Sequence, residues 1–285
     1  MVMEDAIEYG AKTGRHGLGT IYVVPTGPAG NGLANNIHTI AINGVGRFGT
    51  IPQDSFLSAS VITSGLSEGS NISAENMYTT TRNNKCATDF KGVSPATAQV
   101  AAIIAMGLEA NPQLTLRDIQ YLLIQASEPV GPSNANGFVK NNLGRLFHVV
   151  FGYGLVNAKK FVTFAKSRKT TMFPMLNRKA EKLHTSDKTQ DNSNLEFCYK
   201  CDKGKPCLGI IEQVMIKIKI PKASGLFRAV LESPSGTQSV LLHLWLSDEP
   251  QLKDVGYQQL TSVHFWDETA VGKLAFEINW QSLWS

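Results

Sequence analysis

The chain has 285 residues, 42% of them hydrophobic and 18% charged, a globular composition with room for two modest domains, each with its own core. The formal net charge of +4 gathers at Lys166-Ser167-Arg168-Lys169 and Asn177-Arg178-Lys179-Ala180-Glu181-Lys182, with no aromatic residues interleaved, so these stretches read as a solvated linker and no nucleic-acid partner is expected. No apolar run is long enough to cross a bilayer, no signal peptide is expected where Met1 leads into Glu4-Asp5, and four cysteines are too few for a disulfide scaffold.

In chain order, Glu4 to Lys12 has the spacing of a helix, and Thr20-Ile21-Tyr22-Val23-Val24 reads as a short buried parallel strand. Pro25-Thr26-Gly27-Pro28-Ala29-Gly30-Asn31-Gly32 is a loop by composition. Ile37 to Ile42 is the next strand, and it runs into Asn43-Gly44-Val45-Gly46-Arg47-Phe48-Gly49, which satisfies G-x-G-x-x-G. That fingerprint raises a dinucleotide-binding reading, but Thr50-Ile51-Pro52-Gln53 breaks the helix that should follow, so this is the remote third alternative. Ser58 to Asn71 is strand and loop, and Asn71-Ile72-Ser73 is a glycosylation sequon, usable in a secreted chain.

The centre of the chain is Lys91-Gly92-Val93-Ser94-Pro95 and the run of small and apolar residues that continues to Met106. Ser94 stands at a helix N-cap position and Pro95 at the first helical position, where a missing N–H costs nothing. The helix behind them is apolar on nearly every face, which predicts burial. A serine there meets the positive end of the helix dipole and free N–H groups, a favourable place for a hydroxyl that attacks carbonyls. The plain alternative is that Ser94 only caps its helix.

Thr115 to Ala126 follows as a threonine-capped amphipathic helix, and Phe151 to Ala165 as a glycine-lined turn and a last helix. Met172 to Asn194 is polar and aperiodic, as a domain linker would be. From Leu195 the period becomes two, with strands over Val214–Ile220, Leu226–Glu232, Val240–Leu246 and Lys273–Asn279 and a turn at Ser233–Gly236: an all-β, jelly-roll-like module. Cys198, Cys201 and Cys207 lack a fourth ligand at sensible spacing, so no metal site is assigned.

Several phrases carry a family resemblance. Gly92-Val93-Ser94-Pro95-Ala96-Thr97-Ala98 resembles the serine motif of subtilisin-like proteases, G-T-S-A-x-A-P. Leu108 to Gln120 and Phe151-Gly152-Tyr153-Gly154-Leu155-Val156-Asn157-Ala158 resemble its kexin/furin branch, the proprotein convertases, and Ser233 to Ser239 and Ser262 to Glu268 resemble the P domain of those enzymes. The resemblance implies an α/β subtilase-like partial domain, a parallel sheet with helices, over 1–170. A linker follows over 171–194, and a truncated P domain over 195–285, ending before the last family strands.

It also implies a serine endopeptidase that cuts protein or peptide precursors at basic sites in the secretory pathway, with Ser94 as nucleophile. The oxyanion-stabilising asparagine of the family falls on Pro28 without gaps and on Asn31 with a short insertion, so Asn31 is the candidate donor. Cys207 resembles a P-domain half-cystine whose partner is Cys198 or Cys201, and Cys86 is left as a buried or free thiol.

The chain departs from the pattern in three places. The family's D-x-G and H-G-T phrases, which carry the orienting carboxylate and the base, do not occur ahead of the Tyr22 strand, where the resemblance would place them; His16-Gly17 lies too close to that strand and lacks the threonine. His38, His148, His184, His243 and His264 read as structural or exposed. The acidic loop that supports calcium and basic specificity has no room between Asn31 and Asn35, so the calcium site of the family looks lost. A non-catalytic relative, acting only as a binding module, is therefore the second reading.

Overall fold

The computed structural model describes residues 2–28, 31–69, 76–130, 137–169, 193–219, 225–246 and 257–281. Helix α1 (Val2–Thr13) and a tight helical turn over Gly14–Gly17 lead into β1 (Tyr22–Pro25). Strands β2 (Thr39–Val45) and β3 (Val61–Leu66) follow, then a hairpin of β4 (Met77–Thr81) and β5 (Lys85–Phe90). Helices α2 (Ser94–Ala110) and α3 (Leu116–Ala126) come next. The short strands β6 (Ser127–Glu128), β7 (Val139–Lys140), β8 (Leu146–Phe147) and β9 (Leu155–Val156) precede α4 (Ala158–Ser167).

β1, β2, β3 and β9 lie side by side and parallel, with β6 antiparallel at the far edge. β2 is buried along its whole length, as a strand covered on both faces must be. It begins two residues later than the sequence predicts and runs through Asn43-Gly44-Val45. Asn43 makes this possible, because its side chain accepts from the Gly44 N–H at 2.9 Å and donates to the Phe56 carbonyl at 3.0 Å. The glycine fingerprint is thereby corrected: Gly44 is a strand residue opposite Gly65, and Gly46 to Gly49 closes a tight turn that no helix follows. A pyrophosphate would meet no helix N-terminus there.

α3 starts as the sequence predicts. The Thr115 hydroxyl accepts from the Asp118 N–H at 3.1 Å, and the Asp118 carboxylate accepts from the Thr115 N–H, a capping box. α2 departs from its expectation. Pro95, Ala96, Val100, Ile104 and Gly107 are buried, but Ala98, Ala102, Ala105 and Met106 are exposed, so only one side of the helix is covered. The predicted linker lies almost wholly outside the described residues, as does the sequon; Ser193 and Asn194 already belong to a strand.

The second half is antiparallel. Strands β10 (Ser193–Tyr199), β11 (Val214–Lys219), β12 (Gly225–Glu232), β13 (Gln238–Leu246), β14 (Tyr257–Ser262) and β15 (Gly272–Gln281) form a four-stranded sheet in the order β10-β15-β12-β13 and a two-stranded sheet of β11 and β14. Phe227, Leu231, Leu241, Leu260, Phe265 and Phe276 fill the space between them. Cys201 pairs with Cys207, which resolves the choice left open by sequence, and Cys86 and Cys198 are free and exposed.

The two halves share core and polar contacts. Trp266, fully buried, joins the apolar cluster of the first half and meets Tyr121 edge-on at 5.0 Å. The Tyr121 hydroxyl donates to Glu212 and Asp267, whose carboxylates also pair with Arg117 and Arg145. The Tyr153 hydroxyl donates to the Val263 carbonyl at 2.7 Å, and the Thr261 hydroxyl to that of Asn35 at 2.6 Å. None of the described helices is long and apolar enough to cross a membrane.

Candidate active site

Parallel strands end together, and ligands of open α/β sheets bind beyond that carboxyl edge. β1 ends at Pro25 and passes into Thr26, whose N–H donates to the Ile42 carbonyl; β3 ends at Leu66 beside Val45. α2 packs directly on the end of β3: a Cβ built on Gly65 would lie 2.7 Å from the Ala96 carbonyl oxygen. The first turn of α2, and the turn that follows β1, are thus both at the carboxyl edge of the sheet.

Gly92 adopts φ +83°, a left-handed conformation suited to glycine, and turns the chain into the helix. Val93 is the N-cap and Ser94 the first helical residue, one position later in the helix than expected. Proline is accommodated at the second helical position because the N–H groups of the whole first turn lack intrahelical partners. Ser94 is exposed, and among the described residues its hydroxyl makes no hydrogen bond. A free hydroxyl at the positive end of a 17-residue helix is what a nucleophile needs from its backbone.

Asn31 is half-buried and its side chain is engaged locally. Its Oδ1 accepts from the N–H groups of Leu33 (3.0 Å) and Ala34 (3.3 Å), and its Nδ2 lies over Gly27, 2.3 Å from where a Cβ would stand. The amide therefore organises its own turn, and no hydrogen bond joins it to Ser94 among the described residues. In the same turn the Thr26 hydroxyl is buried without a partner. Pro28 is exposed and donates nothing.

The described histidines do not serve Ser94. His16 is exposed in the Gly14–Gly17 turn, with φ +58°. Burial lowers the pKa of His38, with Glu8 opposing the shift and Lys12 adding to it. His148 is also lowered by burial, and its Nδ1 accepts from the N–H groups of Val150 and Phe151. His264 is fully buried, stacked on Phe147 at 4.2 Å and bonded through Nδ1 to the Ser239 hydroxyl; burial first, and His148 second, depress it to about 3. His243 is exposed on β13, and His184 lies outside the described residues.

The segment from Asn31 to Asn35 has no carboxylate, Asn31 and Asn35 spend their side chains on the backbone, and the described residues hold no group of three or more His, Cys, Asp or Glu placed to bind a metal. Two polar residues beside Ser94 escape a reading by motif. Glu68, just past β3, is buried and accepts the Gly92 N–H through Oε1 at 2.8 Å, and Gln99, on α2, bonds the backbone of Leu66 twice. The signal for Gln99 was its lone amide within an apolar helix; for Glu68 there was none.

A parallel sheet with covering helices, a free serine at its carboxyl edge and an antiparallel β module behind it define a subtilase-type hydrolase fold with an appended P domain. The subtilase family model matches residues 35–154, which include Ser94, and the proprotein convertase P-domain model matches residues 211–282. The two matches, catalytic part first and P domain second, are those of the subtilisin-like proprotein convertases, which this chain resembles along nearly its whole length. It is 32% identical to furin-1 of Xenopus laevis over 96% of its own length and 36% of that protein. To proprotein convertase subtilisin/kexin type 5 of Rattus norvegicus it is 31% identical, over 96% of this chain and 16% of that one. The chain thus spans about a third or less of these relatives. Among solved structures, the serine protease of Aeromonas sobria superposes with a TM-score of 0.66 at 16% identity, covering 98% of this chain and 60% of that one, which bears on fold alone.

Proposed function

We propose that the chain carries the nucleophile-bearing part of a serine endopeptidase of the proprotein-processing class, with protein or peptide precursors as substrates and Ser94 as nucleophile. The observation that supports this reading is the exposed, unpartnered Ser94 hydroxyl at the first helical position of α2, on the carboxyl edge of the sheet. In the reaction the Ser94 Oγ bonds to the carbonyl carbon of the scissile peptide and its proton passes to a base. The C–N bond then breaks, the amine leaves with that proton, and water hydrolyses the ester. In this reading the free N–H groups of the first turn of α2, to which Pro95 contributes none, are the backbone donors for the oxyanion. The base and its orienting carboxylate are not among the groups that touch Ser94, so full turnover requires them from elsewhere. Kinship is the support for cleavage after basic residues and for a secretory location; for Asn31 as oxyanion donor the support is the motif.

A fluorophosphonate probe tests the reading, because it esterifies only an activated serine. Covalent labelling of the folded chain at Ser94, slow without a partnered base and abolished by S94A, is the expected result. The second reading, a non-catalytic binding module, is favoured by the missing base, since no histidine among the described residues bonds Ser94, and an unlabelled folded chain would establish it over the first.

A further inference from the structure

We propose that Glu68 and Gln99 form a two-way clasp that fixes where Ser94 stands, and that both are positioning residues for the acyl transfer proposed above, on which this role rests. β3 ends at Leu66 and α2 begins at Ser94, and the chain between them makes an excursion through the β4–β5 hairpin. That hairpin is poorly covered: Tyr78 is 74% exposed, and every described residue from Asn76 to Lys91 is exposed or half-exposed. Packing of the hairpin therefore does little to locate its two ends. Side-chain hydrogen bonds do it instead.

The Glu68 carboxylate, on a residue 7% exposed, accepts the Gly92 N–H through Oε1 at 2.8 Å, across 24 residues of sequence. In the other direction, Gln99 reaches from the second turn of α2 to the end of β3. Its Oε1 accepts the Leu66 N–H at 3.2 Å and its Nε2 donates to the Leu66 carbonyl at 2.9 Å. The loop after β3 holds the entrance of the helix, and the helix holds the end of β3. Ser94 lies inside this closed circuit, two residues after Gly92 and five before Gln99.

A carboxylate in so buried a position is costly unless its hydrogen bonds need it. A charge-assisted bond is also stronger than the neutral one that serine or asparagine would supply. The φ of +83° at Gly92 gives that bond its purpose, since it fixes the sharpest bend between the hairpin and the nucleophile. Misplacing a reacting group by about 1 Å can cost about a hundredfold in rate, so a tie this close to Ser94 governs chemistry as well as fold.

The experiment compares the full chain with E68A, E68Q and Q99A by three readouts: amide hydrogen exchange at Gly92 and Leu66, the rate of fluorophosphonate labelling of Ser94 per folded molecule, and thermal midpoint. In E68A, Gly92 exchange should rise about tenfold or more, as loss of a charge-assisted bond implies, and labelling should slow. E68Q keeps an oxygen acceptor for the Gly92 N–H but makes the bond a neutral one, and should restore both in part. Q99A should release Leu66 and slow labelling from the other side of the circuit, which tests the clasp should E68A not fold. Unchanged Gly92 exchange in E68A, or faster exchange with undiminished labelling, overturns the proposal. An unlabelled wild-type chain overturns the protease reading and the positioning role together, while exchange at Gly92 still decides whether the clasp exists.

Discussion

Replacing Gly65 with alanine should push α2 off the sheet. Gly65 is buried in β3, opposite Gly44, and its backbone is outside the left-handed region, so alanine suffers no conformational penalty there. The penalty is steric. The new Cβ would lie 2.7 Å from the Ala96 carbonyl oxygen, 2.9 Å from its Cα and 3.1 Å from its carbonyl carbon, all of them backbone atoms. No rotamer change relieves that contact, so the head of α2 must retreat by several tenths of an ångström, taking Ser94 with it and stretching the Gln99–Leu66 bonds. Overpacking of this kind costs about 1–3 kcal/mol, which for a chain of this size lowers the thermal midpoint by roughly 2–4 °C per kcal/mol. The control is G209A, a glycine of ordinary φ with nothing within 4 Å of the added methyl, which should change stability by less than about 0.5 kcal/mol. Urea and thermal unfolding of both variants give the comparison. If G65A is as stable as G209A, the close approach of helix and sheet is not as described, and the placement of Ser94 falls with it.

Two further perturbations act on the C-terminal half and its junction with the first. Glu268 is 1% exposed, and its two oxygens accept the Ser233 and Thr237 hydroxyls and the Asn142 N–H, so E268A strands two hydroxyl donors, leaves Asn142 with Thr237 alone and should cost about 2 kcal/mol or more in urea unfolding, with E268Q milder; a loss under about 1 kcal/mol would contradict the network. His264 titrates at about 3 in the folded chain, below the ordinary 6.5, because burial and then His148 disfavour its charge. The unfolded chain therefore binds the proton first: the contribution to stability is complete above pH 6.5 and is lost as pH falls from 6.5 toward 3. Between pH 7 and 4.5 the wild type should lose about 2–3 kcal/mol more than H264F, in which Ser239 keeps its bond to Ser262; equal losses would refute the assignment.

The parts of this fold legible in the sequence are those whose signal is local. Thr115 and Asp118 announce α3 through chemistry confined to one turn, and the alternation around Ile216 and Ile218 announces β11 because one face of that strand is buried and the other is not. Asn43-Gly44 reads locally as a turn, yet stays in β2 because Phe56, distant in sequence, satisfies the Asn43 amide. Cys201–Cys207 was one of the two pairings left open by the resemblance of Cys207 to a P-domain half-cystine, and the fold of the loop over 200–209 decides between them. Ser94 stands out in the sequence through its motif, whereas nothing local singles out Glu68, whose partner Gly92 lies 24 residues away.

α2 shows why composition misleads about cover. Its run of alanines reads as apolar on every face, but alanine is above all a helix former with little area to hide. Val100 and Ile104 are buried, and the exposed positions are Ser94, Ala98, Ala102, Ala105, Met106 and Glu109, of which those between Ser94 and Met106 are all alanine. Leaving methyl groups uncovered costs far less than leaving leucines so. The helix can thus stand half-exposed without losing its seat on β3, and for nearly three turns beyond Ser94 no bulky side chain rises on that side. The same small residues that made the helix look like pure core keep the approach to its one free hydroxyl open.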